Sequence, residues 1–175
     1  GHCSTEYHSV TVVGQGGWVV GACVPDAPTP SHIATSSHLP INPVAFGPMT
    51  HQAILTSQAP APIGPYSQAI RAGQTVFLSG QIALDPATGL LVEGTVGDEA
   101  ERVMQNLEAV LTAAGLTFAN VAKVSIFLTD MGFFQEVNAV YGRYFQGLTP
   151  PARETVAVAG LPRGVRVEIS AVAVG

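Results

Sequence analysis

Val165-Arg166-Val167-Glu168-Ile169-Ser170-Ala171-Val172-Ala173-Val174, at the end of this 175-residue chain, alternates with a period of two. Val165, Val167, Ile169, Ala171 and Ala173 fall on one face of a strand; Arg166, Glu168 and Ser170 fall on the other. The apolar face asks for a covering layer. The opposite face carries few charges to protect it from water, so it is expected to pack against another copy of the chain. Upstream, Pro150-Pro151-Ala152-Arg153-Glu154-Thr155-Val156 reads as a second strand, Arg153 to Val158, followed by the turn-forming Leu161-Pro162-Arg163-Gly164.

Working back toward the start, the helical signals appear. Phe133 to Phe145 places Phe134, Val137, Tyr141 and Phe145 on one face. Val121 to Leu128 is a strand carrying Val121, Val124, Ile126 and Leu128. Thr95 with Asp98 three positions on resembles a capping box. After it Ala100, Val103, Met104, Leu107, Val110 and Leu111 recur at helical spacing, and Gly115 stands where a helix usually ends. Asp85-Pro86-Ala87-Thr88-Gly89 is a turn cluster. Ser67 to Arg71 and Thr75 to Ser79, flanking Ala72-Gly73-Gln74, form a hairpin whose second strand runs on through Gly80-Gln81-Ile82-Ala83. The order β-β-α-β-α-β-β predicts an α+β fold, a mixed sheet with two helices on one face.

Composition excludes several classes of function. Both cysteines (Cys3, Cys23) and every histidine (His2, His8, His32, His38, His51) fall before residue 52, and no Lys or Arg precedes Arg71. From about residue 59 onward there is neither Cys nor His. That part has no cysteine nucleophile, no Ser-His-Asp triad, no His base and no zinc ligands of those types. The net charge is −5 and the seven basic residues are scattered, which is poor for tracking a phosphate backbone.

Residues 1–48 are rich in Gly, Pro, Ser, Thr and His and show no sustained helical period. They are expected to be a poorly ordered or non-native extension ahead of a start at Met49, with residues 49–175 as the folded domain. Other readings stay open. Cys3 and Cys23 with His2 and His8 match no usual metal spacing; Gly14-Gln15-Gly16-Gly17 lacks the strand, helix and Lys of a phosphate loop; one or two strands could pack on the domain. The apolar run Ser9 to Val24 is too short and too glycine-broken for a membrane span, and no basic leader precedes it. A cytoplasmic protein is expected.

Arg153 and Glu168 are the candidate site. A guanidinium in an apolar, β-rich segment is costly unless something pairs with it, and its planar fork matches a carboxylate. Glu168, on the less apolar face of its strand, is expected to point into the same pocket. Together they suggest a site that holds a small carboxylic acid and works on it with water. Each has a plainer reading. Arg153 could form a structural ion pair with Glu154 or Glu168, and Glu168 could be a satisfied interface carboxylate. Gln68 and Gln81 read as polar strand positions, Tyr141 and Tyr144 as helix-face packing, Arg163 and Arg166 as solvated or rim residues.

Four motifs carry a resemblance over about residues 50–175. They are Ile63-Gly64-Pro65-Tyr66-Ser67-Gln68-Ala69, Phe77-Leu78-Ser79-Gly80-Gln81-Ile82, Val137-Asn138-Ala139-Val140-Tyr141, and Pro151-Ala152-Arg153 through Val167-Glu168-Ile169. In order and spacing they resemble the RidA/YjgF family of reactive-intermediate (enamine/imine) deaminases. The resemblance implies a chorismate-mutase-like fold and a homotrimer with a site at each subunit interface. It implies hydrolysis of 2-aminoacrylate or 2-aminocrotonate, released by pyridoxal-phosphate dehydratases, to a 2-keto acid and ammonia, with no cofactor and no metal. It implies Arg153 as the carboxylate-binding arginine and Glu168 as the glutamate that orients or activates water. Tyr66, Ser79, Gly80 (through its backbone) and Asn138 match pocket positions. Thr155 stands where many members have Cys, which removes thiol chemistry and leaves a hydroxyl and a backbone N–H. Glu154 is less usual than Ser or Thr, and strand alternation should turn it away from the pocket. Two other functions stay open: an endoribonuclease or translation inhibitor, which the acidic charge opposes, and a non-catalytic sensor of small carboxylic acids.

Overall fold

The computed structural model describes residues 7–13, 19–25 and 50–175. The chain divides into two compact units, Gly1–Ala45 and Phe46–Gly175. In the first, β1 (Tyr7–Val13) and β2 (Val19–Pro25) pair antiparallel, with Val13 opposite Val19. His2, Cys3 and the Gly14–Gly17 run lie outside the described residues.

The second unit is one sheet under two helices. Its elements are β3 (His51–Ile54), β4 (Ala69–Ala72), β5 (Thr75–Gln81), α1 (Val96–Ala113), β6 (Val121–Leu128), α2 (Phe134–Tyr144), β7 (Ala152–Ala157) and β8 (Val167–Val174). The strand order is β3-β4-β5-β8-β6-β7, six strands in all. Only β6 and β7 are parallel, and α2 makes the crossover that a parallel pair requires. β8 lies between β5 and β6 and is antiparallel to both. The sheet therefore has one strand more than the predicted order, because β3 escapes a reading by pattern. It is four residues long, exposed at its first three positions, and belongs to the sheet edge.

Local chemistry sets the helix ends. Thr95 Oγ1 accepts from the Asp98 N–H at 3.2 Å, and the Asp98 carboxylate accepts from the Thr95 N–H at 2.8 Å, so the predicted capping box is present. At the other end Gly115 adopts φ +71°, and the Arg71 guanidinium donates to the Ala114 carbonyl at 2.5 Å. The predicted α1 stripe, Ala100, Val103, Met104, Leu107, Val110 and Leu111, is buried in full. It meets Val76 and Leu78 of β5, Val124, Ile126 and Leu128 of β6, and Val167, Ile169, Ala171 and Ala173 of β8 in one core. Val137, Val140 and Tyr141 bring α2 onto the same core.

Among the described residues the other sheet face carries no helix. Phe77, Val156 and Val174 are exposed there, beside half-buried Phe127 and Val172. No described helix is long and apolar enough to cross a membrane.

Gln68 is a structural strut. Its side chain is buried; its Oε1 accepts from the Thr56 N–H at 2.7 Å, and its Nε2 donates toward the carbonyls of Thr56, Ala59 and Pro60 at 3.0, 3.1 and 2.8 Å. It hangs the loop after β3 from the head of β4. Leucine has the volume and none of the bonds, so Gln68→Leu is expected to lower stability by about 2 kcal/mol in urea unfolding.

Candidate functional site

The end of β5 breaks the regular ladder with β8: the register shifts between Leu78 and Gln81. The irregularity brings Gly80 under Glu168. A Cβ built on Gly80 would lie 1.9 Å from Glu168 Oε1, so any side chain here would force this carboxyl group to move. Ser79 is held on both sides: its N–H donates to the Gln68 carbonyl at 3.0 Å and its Oγ to the Ser67 carbonyl at 2.6 Å. Tyr66 follows a tight turn in which its N–H donates to the Gly64 carbonyl at 2.8 Å. Its ring is half exposed at the edge of a cleft of about 700 Å³. Ser79, Gly80 and Glu168 line that cleft with Tyr66, and Ile63, Ile82, Leu84 and Pro162 give it apolar walls. The size and lining suit a small organic molecule.

Glu168 is half-buried and makes no ion pair among the described residues. Burial pushes its carboxyl above the ordinary glutamate value. A carboxyl group so placed holds a proton more readily than one in water, which suits it to acid–base work.

Arg153 belongs to a different place. β7 is an edge strand, and on it Arg153 is level with Val124 of β6, whose side chain is buried beneath the helices. The guanidinium lies beside α2: Nη1 donates to Asn138 Oδ1 at 2.7 Å, and its carbon sits 4.8 Å from the Tyr141 ring centroid and 5.7 Å from that of Phe134. No carboxylate pairs with it among the described residues, which removes the structural ion-pair reading. Thr155, two positions along on the same face, has a buried hydroxyl with no partner. Glu154 points to the opposite face, where it accepts from Ser125 and pairs with Lys123 at 3.3 Å, as alternation requires.

The candidate residues thus form two groups. Tyr66, Ser79, Gly80 and Glu168 share the cleft; Asn138, Arg153 and Thr155 share the α2–β7 edge. Glu168 is paired in register with Phe127, and Phe127 with Val156, so Glu168 lies on the face opposite Arg153 and Thr155. The expectation that Arg153 and Glu168 enter one pocket does not hold within a single chain. The physical reason is parity: along each strand the side chains alternate, and these two residues fall on opposite phases of a shared register. Arg166 also differs from expectation. It is no rim residue: its Nε donates to buried Glu99 at 2.8 Å, its N–H to the same carboxylate at 2.9 Å, and Nη2 to the Gly94 carbonyl at 2.6 Å.

The helical spacing predicts packing for Tyr141. It does pack, and its ring also faces Arg153. The signal was present in the spacing of Phe134, Asn138 and Tyr141, four and three residues apart on one helix stripe.

The fold and its paired sets of polar groups define an α+β protein of the YjgF/L-PSP type. The family model described as Endoribonuclease L-PSP matches residues 56–175. The mouse 2-iminobutanoate/2-iminopropanoate deaminase is 52% identical over 121 residues, 69% of this chain and 89% of that protein. Protein DfrA of Myxococcus xanthus is 60% identical over 128 residues, 72% of this chain and 97% of that protein. Among solved structures, the Rid-family protein YyfA of Yersinia pestis is 42% identical, with a TM-score of 0.71 over 72% of this chain and 100% of that one. The chain belongs to the RidA/YjgF family.

The raised pKa of Glu168, a consequence of its burial, makes a prediction for stability. The folded state holds this proton more tightly than the unfolded chain, so its contribution is complete below the ordinary value of 4.5 and is lost as pH rises through the higher folded value. Glu168→Gln, neutral throughout, should flatten that fall: urea unfolding of the variant should show a gain over wild type above this window and none below it.

Proposed function

We propose that this chain is a hydrolytic deaminase of enamines and imines, converting 2-aminoacrylate and 2-aminocrotonate to 2-keto acids and ammonia as a homotrimer. One observation supports this most. Among the described residues neither Arg153 nor Glu168 forms an ion pair, and the two lie on opposite faces of the sheet. A second copy laid along the edge would bring Arg153 to a cleft whose own charged lining is Glu168 and Arg163. The apolar, helix-free face, with Phe77, Val156 and Val174 exposed, is the surface such an assembly would bury.

In this reading Arg153 of one protomer grips the substrate carboxylate, helped by Asn138 and by the hydroxyl or backbone of Thr155. The partner's cleft supplies Glu168, with Ser79 and the Gly80 backbone as further polar contacts and Tyr66 closing over the guest. The enamine takes a proton at its β-carbon and becomes the imine. Water adds at C2, the C–N bond breaks, and ammonia leaves with the proton taken from water. Burial favours the protonated form of Glu168, which suits it to supply the first proton and, once ionised, to accept one from the attacking water. The chemistry is modest, so orientation supplies much of the advantage. Close relatives bearing the deaminase name at about half identity support the same reading.

A nucleic-acid substrate, which the family model's description suggests, fits the charges poorly. Arg71 caps α1, and Arg102, Lys123, Arg143 and Arg166 each pair with a carboxylate. That leaves Arg153 and Arg163, which form no stripe along a backbone.

Generating 2-aminoacrylate in situ and following pyruvate tests the proposal. The wild type should accelerate release, and Arg153→Ala should lower kcat/KM on the order of a hundredfold, the usual scale for truncating a buried charge partner. No acceleration over buffer would end the deaminase reading. The shared site has its own test. Arg153→Ala and Glu168→Ala, each strongly impaired alone, should recover about a quarter of wild-type activity when unfolded and refolded together in equal amounts, since mixed trimers rebuild intact sites. Absence of recovery would overturn the site shared between protomers.

A further inference from the structure

Arg153 is exposed on an edge strand, yet three side chains from one helix stripe bear on its guanidinium. Asn138 accepts from Nη1 at 2.7 Å; the ring centroids of Tyr141 and Phe134 lie 4.8 and 5.7 Å from its central carbon. Both distances are within reach of a cation–π contact. None of the three carries a charge. The acidic side chains nearby in sequence are turned elsewhere: Glu136 accepts from the Gly97 N–H at 2.8 Å, and Glu154 is taken by Ser125 and Lys123. An arginine held by a carboxylate is also held still, but its charge is then spent. An arginine held by an amide oxygen and aromatic faces keeps nearly its whole charge for a guest.

The Tyr141 hydroxyl has no part in this hold. It is buried, has no hydrogen-bond partner among the described residues, and burial raises its pKa, so it stays a neutral phenol. What Tyr141 offers the guanidinium is its ring.

From these contacts we infer that Tyr141 and Phe134 are positioning residues, an uncharged aromatic cradle on α2 that fixes Arg153 for a small carboxylate while leaving its charge uncompensated. The inference rests on the deaminase reading for its substrate, a 2-imino or 2-keto acid, but the hold on the guanidinium stands apart from turnover. The cradle acts on binding of the carboxylate, which is present in substrate and transition state alike. Its loss should therefore appear in KM and not in kcat.

The test uses the full-length chain and the variants Tyr141→Leu, Tyr141→Phe and Phe134→Leu. KM for 2-aminoacrylate, and the pyruvate Kd by calorimetry, should rise roughly three- to tenfold in the leucine variants with kcat within about twofold, the scale of a cation–π contact. Tyr141→Phe, which keeps the ring and drops the unpartnered hydroxyl, should restore most of the affinity lost in Tyr141→Leu. The Arg153 Nε–H resonance should be shifted by the rings in wild type, keep that shift in Tyr141→Phe and lose it in Tyr141→Leu. Phe134 is less buried than Tyr141, so Phe134→Leu keeps the test open if Tyr141→Leu does not fold. Folded leucine variants with unchanged KM, Kd and Arg153 resonance would overturn the inference. So would a Tyr141→Phe variant as weakened as Tyr141→Leu, because the hydroxyl would then be the working group. If the wild type turns over no enamine, the deaminase reading fails by itself, and the cradle is judged on pyruvate affinity and on the resonance.

Discussion

β8 is hydrogen-bonded on both sides, to β5 and to β6, and this constrains everything else in the domain. Val167, Ile169, Ala171 and Ala173 must stay beneath the helices, because turning the strand over would put four buried side chains into water and Glu168 into the core. Glu168 is therefore committed to the helix-free face. The same ladder passes through β6 to β7 and commits Arg153 to the helix side. Neither residue can cross without breaking the register of a central strand. The separation of the acid from the cation is thus a property of the hydrophobic core as much as of the site.

Charge placement follows a related logic. Most ionised groups of the domain are used up in building it. Arg166 and Glu99 lock the entry of β8 to α1, Arg143 and Tyr144 meet at Glu101, and Asp85 accepts from the Ala87 and Thr88 N–H groups of its own turn. Among the described residues Glu168 sits half-buried over Gly80 without an ion pair, and the groups that steady Arg153 are neutral. Charges left unpaired in this way reduce stability and gain nothing within the chain, which is the usual mark of groups kept for a ligand or a partner.

Much of the fold was legible in advance because its signals are local. The capping box at Thr95 and Asp98, the α1 stripe, and the alternation of β6 and β8 each depend on residues a few positions apart, and each is present where expected. β3 was not legible, since four residues with one buried side chain carry no period. The role of Gln68 was hidden for a different reason: its partners, Thr56, Ala59 and Pro60, come within reach only when the loop has folded back. Arg166 looked like a surface residue because Glu99, its partner, is 67 positions away.

The identities of the candidate site residues were determined by the sequence alone. An arginine and a glutamate in a segment free of Cys and His, with the surrounding motifs, point to one family. Which of them stand together was decided by tertiary structure. Asn138 and Thr155 go with Arg153, and Tyr66, Ser79 and Gly80 go with Glu168, because strand order and register assign each residue to a face and no pattern along the chain encodes how β8 inserts between β5 and β6. Alternation tells which side of its own strand a residue takes; only long-range pairing tells which sides of different strands agree.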